Sequence, residues 1–273
     1  MKANKIGKIL SITSFENPLI KKTNFLSKKK FRDIHNQFFA EGDFFLNVAI
    51  KGKWKIHYVL FDIAKETTLK NNRNLQKLLN TGTKITFVTR EIIKKITKKD
   101  NPQDFLFVVE RKKFKLPKKN IKKQLSIILE NLRDPGNLGT IFRTMDYYGI
   151  KNCFLVDNCV DPYSKEVIRS SMGSLFNIQF LAISKKSLIK WIVNNQINLV
   201  GTSLTAKKSH LNYKWELPTA IVFGNEKVGL SDFFHTKCKS SVKIMNRGSS
   251  QSLNVSVASG IIIQELIRKF PNY

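Results

Sequence analysis

Apolar residues in this chain fall in short continuous runs, and polar segments with helical spacing separate these runs. A run of four to eight apolar residues bounded by turn residues is typical of a strand buried on both faces. In the second half of the chain, such runs predict strands at 125–130, 152–157, 178–183, 197–204, 219–225 and 241–245. Their alternation with helical segments predicts an α/β fold with a mostly parallel sheet.

The first half of the chain shows a smaller pattern of the same kind. It predicts strands at 56–62, 85–89 and 104–110, and helices at 17–36, 69–80 and 90–96. Asn17 can cap the first of these helices, and Pro18 suits its first turn. The stretch 38–45 predicts a turn between two apolar runs. We therefore expect a small α/β domain over residues 1–110.

Residues 111–124 separate the two patterns and are dominated by lysine. A segment of this composition is typical of an exposed linker. The linker is either a solvated tether or a basic segment whose lysines contact phosphate groups with low sequence specificity. The second domain is then expected over residues 125–273.

The end of the second domain combines a polar loop with a helical pattern. Residues 247–251 contain glycine but no apolar side chain, and Ser252 is a suitable helix cap. From Leu253 onwards, a wide apolar stripe predicts a helix buried on most sides. Asn254 falls in its first turn, where a buried amide needs hydrogen-bond partners. The pattern fits a capped core helix, and it also fits a loop that delivers polar groups to a helix N-terminus.

Composition narrows the choice of partners. The net charge is +28, which indicates a polyanion, either nucleic acid or an anionic membrane surface. No apolar run is long enough to span a membrane, and the first residues have too short an apolar core for a signal peptide. Three cysteines without a paired motif predict reduced thiols in the cytoplasm, and four scattered histidines predict no metal site.

Three polar, glycine-bearing stretches, at 131–143, 223–231 and 244–260, follow predicted strands. In open α/β sheets, ligands bind beyond the carboxyl ends of the strands, so the loops are candidates for one site. Arg143 is either part of that site or a surface arginine, and Glu226 is either part of it or a carboxylate at a helix N-terminus. Membrane binding would explain none of the three loops, so we favour nucleic acid.

These loops resemble the signature motifs of the SpoU (TrmH-type) RNA 2′-O-ribose methyltransferases of the SPOUT superfamily. The matching segments are NLRDPGNLGTIFR (131–143), GNEKVGLS (224–231), SLNVSVA (252–258) and SKEVIRSSMGSLF (164–176). The N-terminal portion resembles, more weakly, the L30e-like substrate-binding domain often attached to this family. Two residues depart from the pattern: Met245 stands where proline is common, and Asn246 replaces an apolar residue.

The resemblance implies a trefoil knot in the C-terminal domain, S-adenosylmethionine as methyl donor and a ribose 2′-hydroxyl as acceptor. The implied catalytic residues are Arg143, Asn137, Glu226 and Asn254. The implied cofactor-binding residues are Thr202, Gly224, Ile244 and Leu253, and Arg169 is implied to bind a substrate phosphate. Arg143 would orient and stabilise the 2′-oxygen, because a guanidinium stays protonated and is a poor general base.

The resemblance also implies a homodimer with the site at the subunit interface. Ribosomal RNA is favoured as substrate by the attached N-terminal domain, and transfer RNA is the first alternative. A non-catalytic RNA-binding protein on the same fold is the second alternative. The joint presence of Arg143, Glu226 and Asn254 favours the enzyme over the binding protein.

Overall fold

The structure is a computed structural model that describes residues 11–118 and 121–271. The predicted domain and linker ranges also include residues 1–10, 119–120 and 272–273, which lie outside the described residues. The chain divides into two compact units, Met1–Lys112 and Lys113–Tyr273. The division falls inside the predicted linker, and the domain bounds themselves stay a prediction.

The first unit contains a five-stranded mixed sheet with the spatial order β1-β4-β3-β5-β2. The described strands are β1 (Ser11–Ile12), β2 (Gln37–Glu41), β3 (Ile56–Asp62), β4 (Lys84–Val88) and β5 (Phe105–Glu110). The described helices are α1 (Pro18–Phe25), α2 (Lys29–His35), α3 (Asp43–Lys51), α4 (Glu66–Asn71), α5 (Arg73–Asn80) and α6 (Arg90–Thr97). Strand β5 is antiparallel to β2 and β3, and the other pairs are parallel.

The predicted helix over 17–36 is two helices, α1 and α2, and not one. The buried Arg32 donates hydrogen bonds to the carbonyls of Leu26 and Ser27, both at 2.9 Å, which satisfies the backbone where the helix breaks. The predicted cap is confirmed, because Asn17 accepts a hydrogen bond from the second helical residue at 2.9 Å. The predicted helix over 69–80 is likewise divided, and Asn72 caps its second part.

The stretch 38–45, expected as a turn, is mostly regular structure. It contains the end of β2 and the start of α3, joined at Gly42 with a φ of +87°. A single glycine with positive φ replaces the longer turn, because only glycine adopts this conformation without strain.

The second unit contains a seven-stranded sheet with the order β10-β12-β9-β11-β6-β7-β8. Its described strands are β6 (Leu125–Glu130), β7 (Asn152–Val156), β8 (Gln179–Ala182), β9 (Asn198–Thr202), β10 (Lys208–Ser209), β11 (Thr219–Phe223) and β12 (Ser240–Lys243). Its described helices are α7 (Pro135–Tyr147), α8 (Lys165–Ser170), α9 (Lys185–Asn194), α10 (Asp232–Lys237) and α11 (Val255–Lys269). Every strand pair is parallel, which confirms the predicted sheet.

Helices pack around the central strands of this sheet. Trp191 of α9 and Phe234 of α10 join a buried cluster with Ile128 and Val222 of the central strands. Helix α7 packs against α8 and α11. Strand β11 lies between β9 and β6, so its carboxyl end is beside the carboxyl end of β6. The implied trefoil knot stays a prediction.

Part of the predicted linker packs against the second unit. The ring of Phe114 lies 5.2 Å from that of Phe180, and Trp191 Nε1 donates to the Pro117 carbonyl at 3.2 Å. Leu116 and Ile121 contact the buried cluster. The prediction of a fully exposed linker was therefore wrong, because a few apolar residues among the lysines pack against the second unit.

Candidate active site

Three loops meet beside the carboxyl ends of β6 and β11 and the N-terminus of α11. Together they form an open cleft of about 650 Å³. Its lining residues are Asn131, Arg133, Asp134, Asn137, Asn225, Glu226, Lys227, Val228 and Asn254. The structure therefore brings parts of all three predicted loops to one place.

A chain of hydrogen bonds crosses this cleft and takes one side chain from each loop. Asn254 Nδ2 donates to Asn137 Oδ1 at 2.9 Å, and Asn137 Nδ2 donates to Glu226 Oε1 at 2.8 Å. Glu226 and Asn254 are exposed to solvent, and Asn137 is half-buried. An ionised carboxylate only accepts hydrogen bonds, so Glu226 sets the orientation of Asn137, which in turn sets that of Asn254.

Two side chains that line the cleft, Asp134 and Asn254, also cap helices. Asp134 Oδ1 accepts from Asn137 N at 2.7 Å and caps α7, while Asn254 Oδ1 accepts from Ser256 N at 2.8 Å and caps α11. The predicted cap, Ser252, was wrong because the helix begins at Val255 and not at Leu253. Asn254 is exposed, so the expected burial of its amide was also wrong. Two helix N-termini, each with partial positive charge, therefore face the cleft.

The second loop is a tight turn. Asn225 and Gly229 exchange two backbone hydrogen bonds, at 3.0 and 2.9 Å, and the Asn225 side chain donates to the Asn131 carbonyl at 3.0 Å. A Cβ atom on Gly224 would lie only 2.2 Å from the backbone carbon of Gly229. Only glycine fits at position 224, so the strand end passes closely beneath the turn that carries Glu226.

Three of the implied cofactor-binding residues, Thr202, Gly224 and Ile244, lie at strand ends, and Leu253 directly precedes the cap of α11. None of the four is among the cleft-lining residues. Thr202 ends β9 and donates its hydroxyl to the Val222 carbonyl at 2.9 Å. Gly224 and Ile244 are half-buried, and Leu253 is 47% exposed. The exposure of Leu253 differs from the predicted core position, because α11 starts two residues later.

The third loop contains both departures from the family pattern. Asn246 Nδ2 donates to the Ser250 carbonyl at 2.6 Å, and its Oδ1 accepts from Gly248 N at 2.8 Å. Met245 is 55% exposed. Asn246 therefore closes the loop through its amide, where the family commonly has an apolar residue.

The two implied arginines are placed apart from the amide chain. Arg143 is exposed on α7, about 9 Å further along the helix axis than Asn137 at 1.5 Å per residue, and it does not line the cleft. Arg169 is exposed on α8. Neither guanidinium has a hydrogen bond or ion pair with any residue of 11–118 or 121–271. Within one chain, the structure does not bring Arg143 to the other implied catalytic residues.

Sequence reasoning missed a buried charged group below the cleft. Glu130, the last residue of β6, is 2% exposed. Its carboxylate accepts from Ser231 N at 2.9 Å and from Ser231 Oγ at 2.6 Å, and it pairs with Lys185 Nζ at 2.7 Å. The sequence feature that could have indicated Glu130 is a carboxylate at the end of a mostly apolar strand, directly before the first loop.

The cysteines of this unit are unsuited to nucleophilic chemistry. Burial, with the nearby Glu130 carboxylate, raises the pKa of Cys238 to about 12, and burial raises the pKa of Cys159 as well. Thiols with such pKa values are protonated at neutral pH, whereas the thiolate is the reactive form. In the described part of the chain, no group of three or more His, Cys, Asp or Glu side chains is arranged to hold a metal ion. No helix there has the length and hydropathy of a membrane span.

Comparison with known proteins follows the same division of the chain. The SpoU rRNA Methylase family model matches residues 124–264, and an MRM3-like substrate binding domain matches residues 17–106. A tRNA/rRNA methyltransferase of Synechocystis sp., itself uncharacterized, is 32% identical over 96% of this chain and 94% of its own length. The 23S rRNA (guanosine(2553)-2′-O)-methyltransferase RlmP of Bacillus subtilis is 27% identical over 93% of this chain and 98% of its own.

Solved structures agree in fold over nearly the whole chain. The AdoMet-bound rRNA methyltransferase from Sinorhizobium meliloti has a TM-score of 0.85 and 29% identity, and the match covers 95% of this chain and 98% of that one. Fold, motifs and family models point the same way. The chain belongs to the SpoU rRNA Methylase family and carries an MRM3-like substrate-binding domain in its first unit.

Proposed function

We propose that this chain transfers the methyl group of S-adenosylmethionine to a ribose 2′-hydroxyl of ribosomal RNA. The observation that carries the proposal is the hydrogen-bonded chain of Asn254, Asn137 and Glu226 across the cleft. Its three members come from the three family motifs. Relatives support the same activity: RlmP is named for 2′-O-methylation of 23S rRNA, and the Sinorhizobium structure is named as AdoMet-bound.

The strand ends suit a nucleoside with a sulfonium-bearing chain. The absence of a side chain at Gly224 lets the Gly229 backbone lie against the end of β11, and Thr202 holds the end of β9 against β11. Ile244 and Leu253 offer apolar surface for an adenine ring. S-adenosylmethionine, when bound, supplies an electrophilic methyl group on a positively charged sulfur. The role of the protein is then to hold the acceptor oxygen in line with it.

Charged side chains complete the proposed mechanism. The Arg143 guanidinium donates hydrogen bonds to the 2′-oxygen as negative charge develops there, and Arg169 binds a phosphate of the RNA. Both side chains are exposed on their helices. Asn137 and Asn254 orient the ribose, and Glu226 fixes the orientation of both amides through the hydrogen-bond chain.

We propose that two copies of the chain form the complete enzyme. Helices α7 and α11 pack together and leave Tyr147 84% and Val257 50% exposed, and Leu253, just before α11, is 47% exposed. Burial of this surface against a second copy is favourable, and it would bring Arg143 of α7 to the interface. Analytical ultracentrifugation tests the assembly: a monomer at micromolar concentration would overturn it.

Transfer RNA is the alternative substrate, and a non-catalytic RNA-binding protein is the alternative class. Mapping 2′-O-methyl groups in ribosomal and transfer RNA from cells that lack this protein separates the three cases. Loss of one ribosomal site, restored by the wild-type gene, is the expected result. We also propose a cytoplasmic location, where free thiols persist, and cell fractionation tests it.

Binding of S-adenosylmethionine is expected to need no metal ion. The cleft offers backbone groups, amides and carboxylates from separate loops, but no cluster of metal ligands among the described residues. Titration calorimetry with and without a chelator should give the same dissociation constant. A constant that rises in the chelator would contradict this expectation.

The lysines of the first unit are expected to supply salt-dependent RNA affinity. Lys28, Lys29 and Lys30 are all exposed at the start of α2. Replacing all three with glutamine should reduce the slope of log affinity against log salt by roughly 2, because fewer counterions are released from phosphate.

Deletion of residues 1–110 should weaken RNA binding further and leave cofactor affinity unchanged. An unchanged RNA affinity after the deletion would assign the first unit another purpose.

A further inference from the structure

We propose that Glu130 is a positioning residue: together with Lys185 it clamps the end of the second loop and thereby fixes Glu226. The clamp lies beneath the cleft and touches neither the proposed RNA nor the proposed cofactor residues directly. The inference deepens the proposed function and rests on it for its catalytic consequence. The clamp itself is defined by contacts within the chain.

Glu130 makes its contacts with two separate segments of the chain. Its two carboxylate oxygens accept from the backbone and the hydroxyl of Ser231, at 2.9 and 2.6 Å. Lys185, at the start of α9, pairs with the same carboxylate at 2.7 Å and donates to Ser231 Oγ at 3.1 Å. Charge-assisted hydrogen bonds of this length are the strong class, so the carboxylate holds Ser231 tightly.

The second loop is thereby fastened at both ends to consecutive residues of the chain. At its start, the Asn225 side chain donates to the carbonyl of Asn131, and at its end Ser231 is bound by Glu130. Between these points, Asn225 and Gly229 close the turn through their backbones. Glu226 projects from this turn, so its backbone position follows from the two fastenings.

Lys185 keeps its charge in this environment. Burial alone lowers the pKa of Lys185, but its hydrogen bonds with Glu130 and Asp157 outweigh burial and raise the pKa above its ordinary value. Its ammonium lies 2.9 Å from the Asp157 carboxylate, and the rings of Phe233 and Phe234 lie within 5.3 and 5.6 Å. Replacing Glu130 with a neutral residue would leave a partly buried cation with one partner fewer.

A second buried carboxylate in the same unit offers a matched comparison. Glu265 is also 2% exposed, and it pairs with Arg268 and Lys269 on its own helix. Those partners lie three and four residues away on α11. Loss of the Glu265 pair therefore perturbs one helix locally, whereas loss of the Glu130 pair releases the loop that carries Glu226.

The test compares Glu130→Gln with Glu265→Gln in the full chain. Amide hydrogen exchange over residues 224–231 should be faster in Glu130→Gln and unchanged in Glu265→Gln. Single-turnover methyl transfer should fall on the order of 10- to 100-fold in Glu130→Gln beyond any change in Glu265→Gln, at comparable thermal stability. Lys185→Gln should repeat the defect, and the double variant should be no worse than the more affected single variant.

The two readouts separate the failure of the clamp from the failure of the proposed function. Equal exchange of residues 224–231 in the two glutamine variants would overturn the clamp, whatever their activity. Faster exchange with unchanged methyl transfer would overturn its positioning role. Failure of the wild-type chain to bind S-adenosylmethionine or to methylate RNA would overturn the proposed function, while hydrogen exchange would still decide about the clamp.

Discussion

Replacing Arg143 with alanine is expected to lower the single-turnover rate of methyl transfer by about 100-fold or more, or about 3 kcal/mol. A 2′-hydroxyl is a weak nucleophile, and its oxygen gains negative charge as the methyl group is transferred. A protonated guanidinium stabilises that charge more in the transition state than in the ground state. The side chain is exposed and has no hydrogen bond or ion pair within the described residues, so its removal should leave the fold and cofactor affinity intact.

The charge alone is not expected to suffice. Arg143→Lys should also lose most of the activity, because an ammonium does not reproduce the planar fork of donors. Single-turnover kinetics at saturating RNA, beside calorimetric titration of S-adenosylmethionine, measure the two effects separately. Arg73→Ala, which removes an exposed arginine of the first unit, is the control. Near-normal turnover in Arg143→Ala would refute the assignment, and joint loss of turnover and cofactor binding would make the arginine structural.

Gly224→Ala is expected to weaken binding of S-adenosylmethionine by about 30- to 100-fold and to lower the melting temperature. The added Cβ would lie 2.2 and 2.3 Å from the carbonyl atoms of Gly229 and 2.5 Å from Leu230 N. These are backbone atoms, so the turn itself must move. Overpacking of this kind costs about 1–3 kcal/mol, and a displaced turn also moves Glu226 away from Asn137.

Gly248→Ala is the matched control for this variant. Gly248 lies in the third loop, where the nearest atom to an added Cβ is 4.0 Å away, so alanine fits there. Calorimetry gives cofactor affinity, and differential scanning calorimetry gives the melting temperature of both variants. Equal cofactor affinity in Gly224→Ala and Gly248→Ala would show that the close approach at position 224 is not needed for binding.

Much of the fold could be predicted because buried parallel strands have a simple signature. The runs at 56–62 and 125–130 are mostly apolar, and both match the observed strands to the residue. Strand β10 has only two residues and no apolar run, so the sequence pattern did not predict it. The division of 17–36 into two helices depends on Arg32 binding two carbonyls, a tertiary contact that periodicity does not contain.

The site was predicted as a set of residues and not as an arrangement. Polar loops after apolar strands, and their resemblance to family motifs, singled out Asn137, Glu226 and Asn254. Their mutual contacts join positions 89 and 117 residues apart, which no local pattern reveals. Glu130 was missed because it lies at the end of a mostly apolar strand and not in a polar loop. Its partners come from α9 and the second loop.

The double duty of Asn254 affects which mutations this protein can tolerate. Its Oδ1 begins α11 and its Nδ2 continues the amide chain, so one side chain serves folding and chemistry through different atoms. Aspartate retains the acceptor and caps helices as well as asparagine does, but it has no amide donor. A selection that rewards only heat resistance would therefore accept Asn254→Asp, and the enzyme could pass every stability screen while losing its activity.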